Sequence, residues 1–244
     1  MHTTRPTASI SSSTDITDDI VRTGFSMIPG SDMQVPPALQ DSLKALIASF
    51  DDLPADPYLP DGGRYRYRRH TRYIYRPATG ELLVADNPGY FQTVENNPFA
   101  GGQWRKYEEL QEEIRSGAFL AALIDFNVGR LPMPEVEQWA VQVQCVRIVA
   151  RDGACGRPIP EGVHRDGCTY VSLHMINRHN ISGGRTSVCT PEHELITEKV
   201  FTECLDSFFG DDPRVRHGVG DVAVAEPGLG EGTRDMLLMS YDPM

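Results

Sequence analysis

The amino-acid sequence predicts an α+β protein, mainly β, in which a sandwich or double-sheet jelly roll is flanked by helices. Two observations carry this. From Trp139 onward the chain breaks into short β-branched or alternating runs separated by Gly, Pro and Asn, the pattern of many short strands joined by turns. Before Trp139 the apolar residues recur instead at helical spacing, with one alternating, arginine-rich exception.

Taken in order, residues 1–20 are rich in Ser, Thr and Asp and lack both the basic start and the apolar stretch of a secretory signal, so they are expected to form a flexible tail on a cytoplasmic protein. Residues 21–244 then form a single domain, because 244 residues suffice for one well-buried core and not for two large ones. The segment from Gly24 to Gly30 predicts a short strand. The next run places Leu39, Leu43, Leu46, Ile47 and Phe50 along one helix face, with Pro36 and Pro37 at its start and Pro54 beyond its end. The run RYRYRRHTRYIYR, from Arg64 to Arg76, alternates like a strand. A second helical pattern spans about Trp104 to Leu123, with Tyr107, Leu110, Ile114, Phe119, Leu120 and Leu123 on its apolar side. The β unit, mainly 139–244, follows as WAVQVQCVRIVA, GCTYVSLHMIN, RTSVCT, VRHGVGDVAVAE and RDMLLMSY, interrupted by one stretch expected to be helical, Glu194 to Gly210. Jelly rolls of this kind commonly hold a ligand or metal near the barrel mouth.

A formal charge of −11 argues against a nucleic acid as partner, since phosphate binding needs clustered Lys and Arg. No apolar run approaches the ~20 residues of a membrane span. Five scattered cysteines without a Cys-x-x-Cys pair signal neither a disulfide framework nor a zinc ribbon. The six arginines between Arg64 and Arg76 create a local positive field suited to a small carboxylate, or else a solvated strand edge guarded by its charge. The oligomeric state is open.

The chemistry centres on His164-Arg165-Asp166, followed about fifty residues later by His217. Two imidazoles and a carboxylate occupy one face of an octahedral ion and leave three positions free, the donor set of a non-haem Fe(II) oxygenase. His-x-Asp suits a strand or its end, because residues i and i+2 point to the same side. Two free positions fit a bidentate 2-oxo acid and the third fits O2. Arg234 starts the last strand, where its planar fork can pair with the distal carboxylate of 2-oxoglutarate. Gln144 and Thr186 are further candidates for the cofactor, and Arg68, Arg72 and Arg147 for a substrate carboxylate, with a structural ion pair the equal alternative for Arg147. His174 alternates with Ser172 and Ile176 and reads equally as a core histidine or a functional one, whereas His179 and His193 read as solvated. Gly183-Gly184 reads as a hairpin turn.

The order of these motifs resembles the 2-oxoglutarate/Fe(II) dioxygenases typified by bacterial L-isoleucine dioxygenase, from about Arg64 to Tyr241. The resemblance rests on the arginine-rich stretch ending RYIY, YFQ (Tyr90 to Gln92), Gly101-Gly102 followed by Arg105, the strand ending in Arg147, His164-x-Asp166, LHMIN, Gly183-Gly184, His217 and RDMLL. It implies a double-stranded β-helix core (jelly-roll or cupin-like), with His164, Asp166 and His217 on the metal and Arg234 on 2-oxoglutarate. It also implies hydroxylation of a free L-amino acid, branched aliphatic or cyclic such as isoleucine, proline or pipecolate, in secondary metabolism such as antibiotic biosynthesis. One departure stands out: where many relatives carry Ser two residues after the cofactor arginine, this chain has Met236. A jelly roll holding Zn(II) for hydrolysis or isomerisation, and a non-catalytic binding module stabilised by its metal, are the rival readings.

Overall fold

The computed structural model describes residues 2–3 and 8–244. In chain order the elements are β1 (His2–Thr3), β2 (Ser11–Ser12), α1 (Ile16–Thr23), β3 (Phe25–Ile28), β4 (Met33–Gln34), α2 (Gln40–Ser49), β5 (Arg66–Arg76), β6 (Glu81–Val84), α3 (Glu112–Arg115), α4 (Ala118–Val128) and β7 (Trp139–Ala150). They continue with β8 (Tyr170–His179), β9 (Ile181–Gly183), β10 (Arg185–Cys189), β11 (Leu195–Val200), β12 (Ser207–Asp211), β13 (Arg216–Val219), β14 (Val222–Val224) and β15 (Gly232–Pro243).

Eight strands form one antiparallel sheet in the order β1-β6-β5-β7-β15-β8-β12-β3, and β11-β10-β13 and β14-β9 make the smaller opposing face. This is the double-stranded β-helix. Alternation along β15 shows how the layers are assigned: Leu237, Met239 and Tyr241 pack toward the helices with Phe119, Leu123 and Trp139, while Met236 faces inward with Leu173, Phe208 and Val188. Along β7, likewise, Val141, Val143 and Cys145 join the helical layer, and Val146 and Ile148 meet Ile181 and Val222. The helix α4 is buried on nearly every side, which explains its almost uninterrupted apolar sequence. No helix among the described residues is long and apolar enough to cross a membrane.

Several expectations are corrected. Residues 8–20 do not hang free: β2 pairs with β4, Asp15 caps α1 by accepting from the Asp18 N–H, and Ile10, Ile16 and Ile20 are buried in the main core. The remainder of the expected tail, residue 1 and residues 4–7, lies outside the described residues. The large sheet draws β3, β5 and β6 from the first half, so the β core extends well before residue 139. The helix expected over Trp104 to Leu123 is confined to α3 and α4, because Arg105 exchanges backbone hydrogen bonds with Tyr90 and draws this segment into an extended path. Glu194 to Gly210 is not helical. Its two halves are β11 and β12, where pairing with β10 on one side, and with β8 and β3 on the other, overrides local helix propensity.

Candidate active site

His164 and His217 are direct antiparallel partners, each backbone N–H donating to the other's carbonyl at 2.9 and 3.0 Å. Pairing two separate segments at this one position brings both imidazoles to the mouth of the β-helix, with ring centroids 4.8 Å apart. Asp166 does not continue a strand, contrary to the simplest reading of His-x-Asp; it sits in the turn before β8. That turn is held by Asp212, whose carboxylate accepts from the backbone N–H groups of Asp166 and Gly167 at 2.9 and 2.8 Å, and from that of Cys168 at 3.3 Å. The Asp166 carboxylate thereby reaches His164 Nε2 at 3.5 Å and His217 Nε2 at 3.7 Å. One donor atom from each of the three lies within 4.8 Å of the others.

The protonation balance of the triad is set by two imidazoles around one carboxylate. Burial disfavours charge on His164, but the adjacent Asp166 carboxylate outweighs it and pushes the imidazole up to about 9. Burial and the neighbouring His164 charge take His217 down to about 4, while Asp166, despite its burial, is held below the ordinary carboxylate range by the two histidines. A divalent cation held here would compete with a proton for the His164 imidazole. His164 Nδ1 lies 3.0 Å from the Gly162 carbonyl, which accepts its proton and turns the Nε2 lone pair toward the metal position. Two imidazoles and one carboxylate fit Fe(II) with open positions.

The cavity above the triad is lined on one side by Gln144, Val146, Ile148, Arg234, Met236 and Leu238, from β7 and β15. Arg234 is 3% exposed, and its Nε and Nη2 have no hydrogen-bond partner among the described residues. Burial, then the nearby Arg178 guanidinium, lowers it to about 9. A side chain at Gly184 would crowd this place, since its Cβ would lie 2.8 Å from Val222 Cγ1 and 3.5 Å from Arg234 Cδ. A guanidinium held in this way, buried and unpaired, fits the distal carboxylate of 2-oxoglutarate. Gln144 shares that wall. Thr186 is buried opposite Val219 on the face that carries His217, its hydroxyl unpartnered among the described residues, but it does not line the cavity.

Of the three predicted substrate arginines, only Arg68 reaches the cavity. It stacks over the Tyr107 ring at 4.4 Å and shares the buried Asp56 carboxylate with Arg66. Arg72 does not line the cavity; its guanidinium donates to the Asp86 carbonyl. Arg147 lies on the opposite face of β7, where Nε and Nη2 grip the fully buried Asp235 carboxylate at 2.6 and 2.8 Å, so the ion-pair alternative holds there. His174 is a core histidine: it contacts Asn127, Ser172 and Ser207, and burial lowers it to about 3. His193 lies in an exposed loop, and His179 is exposed at the end of β8.

Sequence reasoning missed a further part of the lining, formed by Tyr90, Gln92, Asn97 and Arg105 with Glu161. Residues 92–102 close on themselves, Gly102 N–H donating to the Gln92 carbonyl at 2.8 Å, and a Cβ at Gly101 would lie 2.4 Å from two carbonyl oxygens of the turn. The available signal was the order of YFQ, Gly101-Gly102 and Arg105, which carried the resemblance without suggesting roles.

The family model described as 2OG-Fe dioxygenase matches residues 47–240. The chain belongs to the 2OG-Fe dioxygenases. Fe(II), 2-oxoglutarate and O2 are accordingly its cofactors, and the zinc hydrolase and non-catalytic readings give way to an oxidoreductase. Among solved structures, this dioxygenase is similar to a bsmA homolog from Methylobium petroleophilum PM1, at 26% identity and a TM-score of 0.80, covering 93% of this chain and 92% of that one. It is also similar in fold to IDO from Bacillus thuringiensis, at 16% identity and a TM-score of 0.76 with 94% of each chain covered. The Fe(II)/(alpha)ketoglutarate-dependent dioxygenase TqaL aligns at 20% identity and a TM-score of 0.67, covering 93% of this dioxygenase and 85% of that chain. A search of curated sequences returns no match.

Proposed function

We propose that this dioxygenase hydroxylates an unactivated C–H of a free L-amino acid, branched aliphatic or cyclic, with Arg234 binding 2-oxoglutarate and Arg105 binding the substrate's carboxylate. The observation that carries this reading is that one cavity holds two buried guanidiniums, Arg105 and Arg234, neither of which pairs with a carboxylate among the described residues. A buried cation without a counter-ion is costly, and an arriving carboxylate relieves that cost. Both guanidiniums line the same cavity as the three triad residues, so two different carboxylates could be held against one metal position.

When bound, Fe(II) with 2-oxoglutarate and O2 supplies oxidation of R–H to R–OH, with release of succinate and CO2. The chain contributes aim and exclusion of water. Arg105, 1% exposed and stacked over Tyr90 at 4.9 Å, is rigid enough to fix a head group. Arg68 adds positive field on the same side, and Val146, Ile148, Ile159 and Leu238 offer an apolar wall to an aliphatic side chain or ring. The fit of that wall to uncharged carbon supports a branched or cyclic substrate over a charged one.

The test is a panel of free L-amino acids (isoleucine, leucine, proline and pipecolate) with the Fe(II)-loaded enzyme, following succinate and a mass gain of one oxygen. At least one should drive both. Arg105→Gln should raise its KM by one to two orders of magnitude, the worth of a charge-assisted hydrogen bond, while leaving 2-oxoglutarate binding intact. Succinate formation that no member of the panel accelerates would refute the proposal.

A further inference from the structure

The wall bearing Arg105 is one hydrogen-bonded chain. Arg105 Nη2 donates to Gln92 Oε1 at 2.7 Å, and Asn97 Nδ2 donates to the same oxygen at 2.9 Å. Asn97 Nδ2 also donates to Glu161 Oε1 at 2.9 Å, and Gln92 Nε2 donates to Asp166 Oδ1 at 3.1 Å. Because Gln92 Oε1 faces two donors and its Nε2 faces a carboxylate, the amide has one orientation. The chain thus ends on a guanidinium at one side, on a carboxylate at the other, and ties both to a candidate metal ligand.

Both ends are incomplete. Arg105 Nε and Glu161 Oε2 are buried without a hydrogen-bond partner, and Glu161 makes no ion pair among the described residues. Both residues line the cavity. A carboxylate oxygen left bare in a cavity wall calls for a donor, and a charged one gains most from a cation. Three hydrogen bonds in series separate Arg105 from Glu161, a span that the carboxylate and ammonium of one α-amino acid, each with its own hydrogen bond, can bridge.

We infer that Glu161 is the counter-ion of the substrate's ammonium group, so that the enzyme selects α-amino acids with a free, protonated amine and rejects N-acylated or deaminated analogues. The inference deepens the proposed amino-acid reading and rests on it. Asn97 orients Glu161 by occupying Oε1 and leaving Oε2 for the ligand. Gln92 is a positioning residue: it holds Arg105 and Asp166 at fixed separation, so that the head group is registered against the metal.

The experiment is calorimetric titration of the Mn(II)- and 2-oxoglutarate-loaded protein with the panel amino acid that gives most product, with its deamino acid and with its N-acetyl derivative; for L-isoleucine these are 3-methylpentanoate and N-acetyl-L-isoleucine. The wild type should bind the amino acid at least about 30-fold more tightly than either analogue, within the range of a charged hydrogen bond. Glu161→Gln should bring the ratio for the deamino acid below about threefold without altering the affinity of the deamino acid itself, and Glu161→Asp should restore part of it. Discrimination retained in Glu161→Gln would overturn this inference alone. A wild type that binds no free amino acid would overturn the amino-acid reading and this inference with it. Thermal melts of both variants separate loss of fold from loss of binding.

Discussion

Replacing Arg234 with Met should stabilise the enzyme without cofactor and remove its response to 2-oxoglutarate. Arg234 lies almost wholly out of water with Nε and Nη2 unpaired, and the burial that lowers it from the ordinary arginine range to about 9 disfavours its charged form. A displacement of that size corresponds to about 5 kcal/mol against the cation at neutral pH. Because the folded value lies below the unfolded one, the cation at neutral pH costs folding free energy, and the cost vanishes only above the unfolded value. Local relaxation and water entry reduce the figure, so about 2 kcal/mol is the expectation for a buried charge removed from an apolar wall. In a protein of 150–250 residues, 2 kcal/mol raises Tm by roughly 4–8 °C. Met fills a similar volume with flexible apolar atoms, which limits any packing loss.

The same substitution deletes two charge-assisted donors to the cofactor's distal carboxylate. At about 1.5–3 kcal/mol each, their loss weakens 2-oxoglutarate binding by roughly two to four orders of magnitude. The assay is differential scanning fluorimetry with Mn(II), with and without 2-oxoglutarate at about 100 times the wild-type Kd, where binding adds roughly 2.7 kcal/mol to wild-type stability. The wild type should therefore melt lower than the variant without cofactor and shift upward on its addition, whereas the variant should not shift. A variant that melts below the wild type and still responds to 2-oxoglutarate would refute both the unpaired-charge argument and the assignment.

Other predictions concern the scaffold. Arg147→Ala strands the fully buried Asp235 carboxylate, so it should cost about 3–5 kcal/mol in chemical denaturation. It should also leave the substrate KM within twofold, since the side chain faces away from the cavity; a large KM change at full stability would contradict that placement. His70 and His174 are both taken to about 3, by burial in each case and by Arg68 beside His70 as well. They stay neutral in the folded state while the unfolded chain protonates below about 6.5, so stability is intact above that pH and falls as pH drops toward 3. At pH 5 each costs about 2 kcal/mol; in metal-free protein His217 acts in the same direction and His164, held up at about 9, in the opposite one. Urea unfolding at pH 7 and pH 5 checks this, and equal stabilities would count against buried neutral imidazoles.

What the sequence made legible follows from the range of the forces involved. The triad could be read because ligand chemistry restricts residue type at fixed spacing, and Arg234 was singled out because an arginine at the start of the last strand, beyond His217, suits a carboxylate cofactor. Arg147 was left between a substrate role and an ion pair for a related reason: three residues from Gln144, it falls on the other face of a regularly alternating β7, but the sequence did not say which face was the cavity. That is decided by the register of β15 and by Asp235, which lies opposite Arg147 across the strand pair. No role was legible for Arg105, Asn97 or Glu161, because they belong to irregular segments, where no period reports direction. Their convergence depends on the closed turn at 92–102 and on the chain that approaches His164 from Pro158. The two kinds of residue divide the chemistry accordingly. Those that the sequence showed would activate oxygen, a task shared across the family; those that it hid would, on the proposed reading, hold the head group that every α-amino acid shares, so a change of substrate would fall to the apolar lining of Val146, Ile148, Ile159 and Leu238 and leave triad and head-group wall in place.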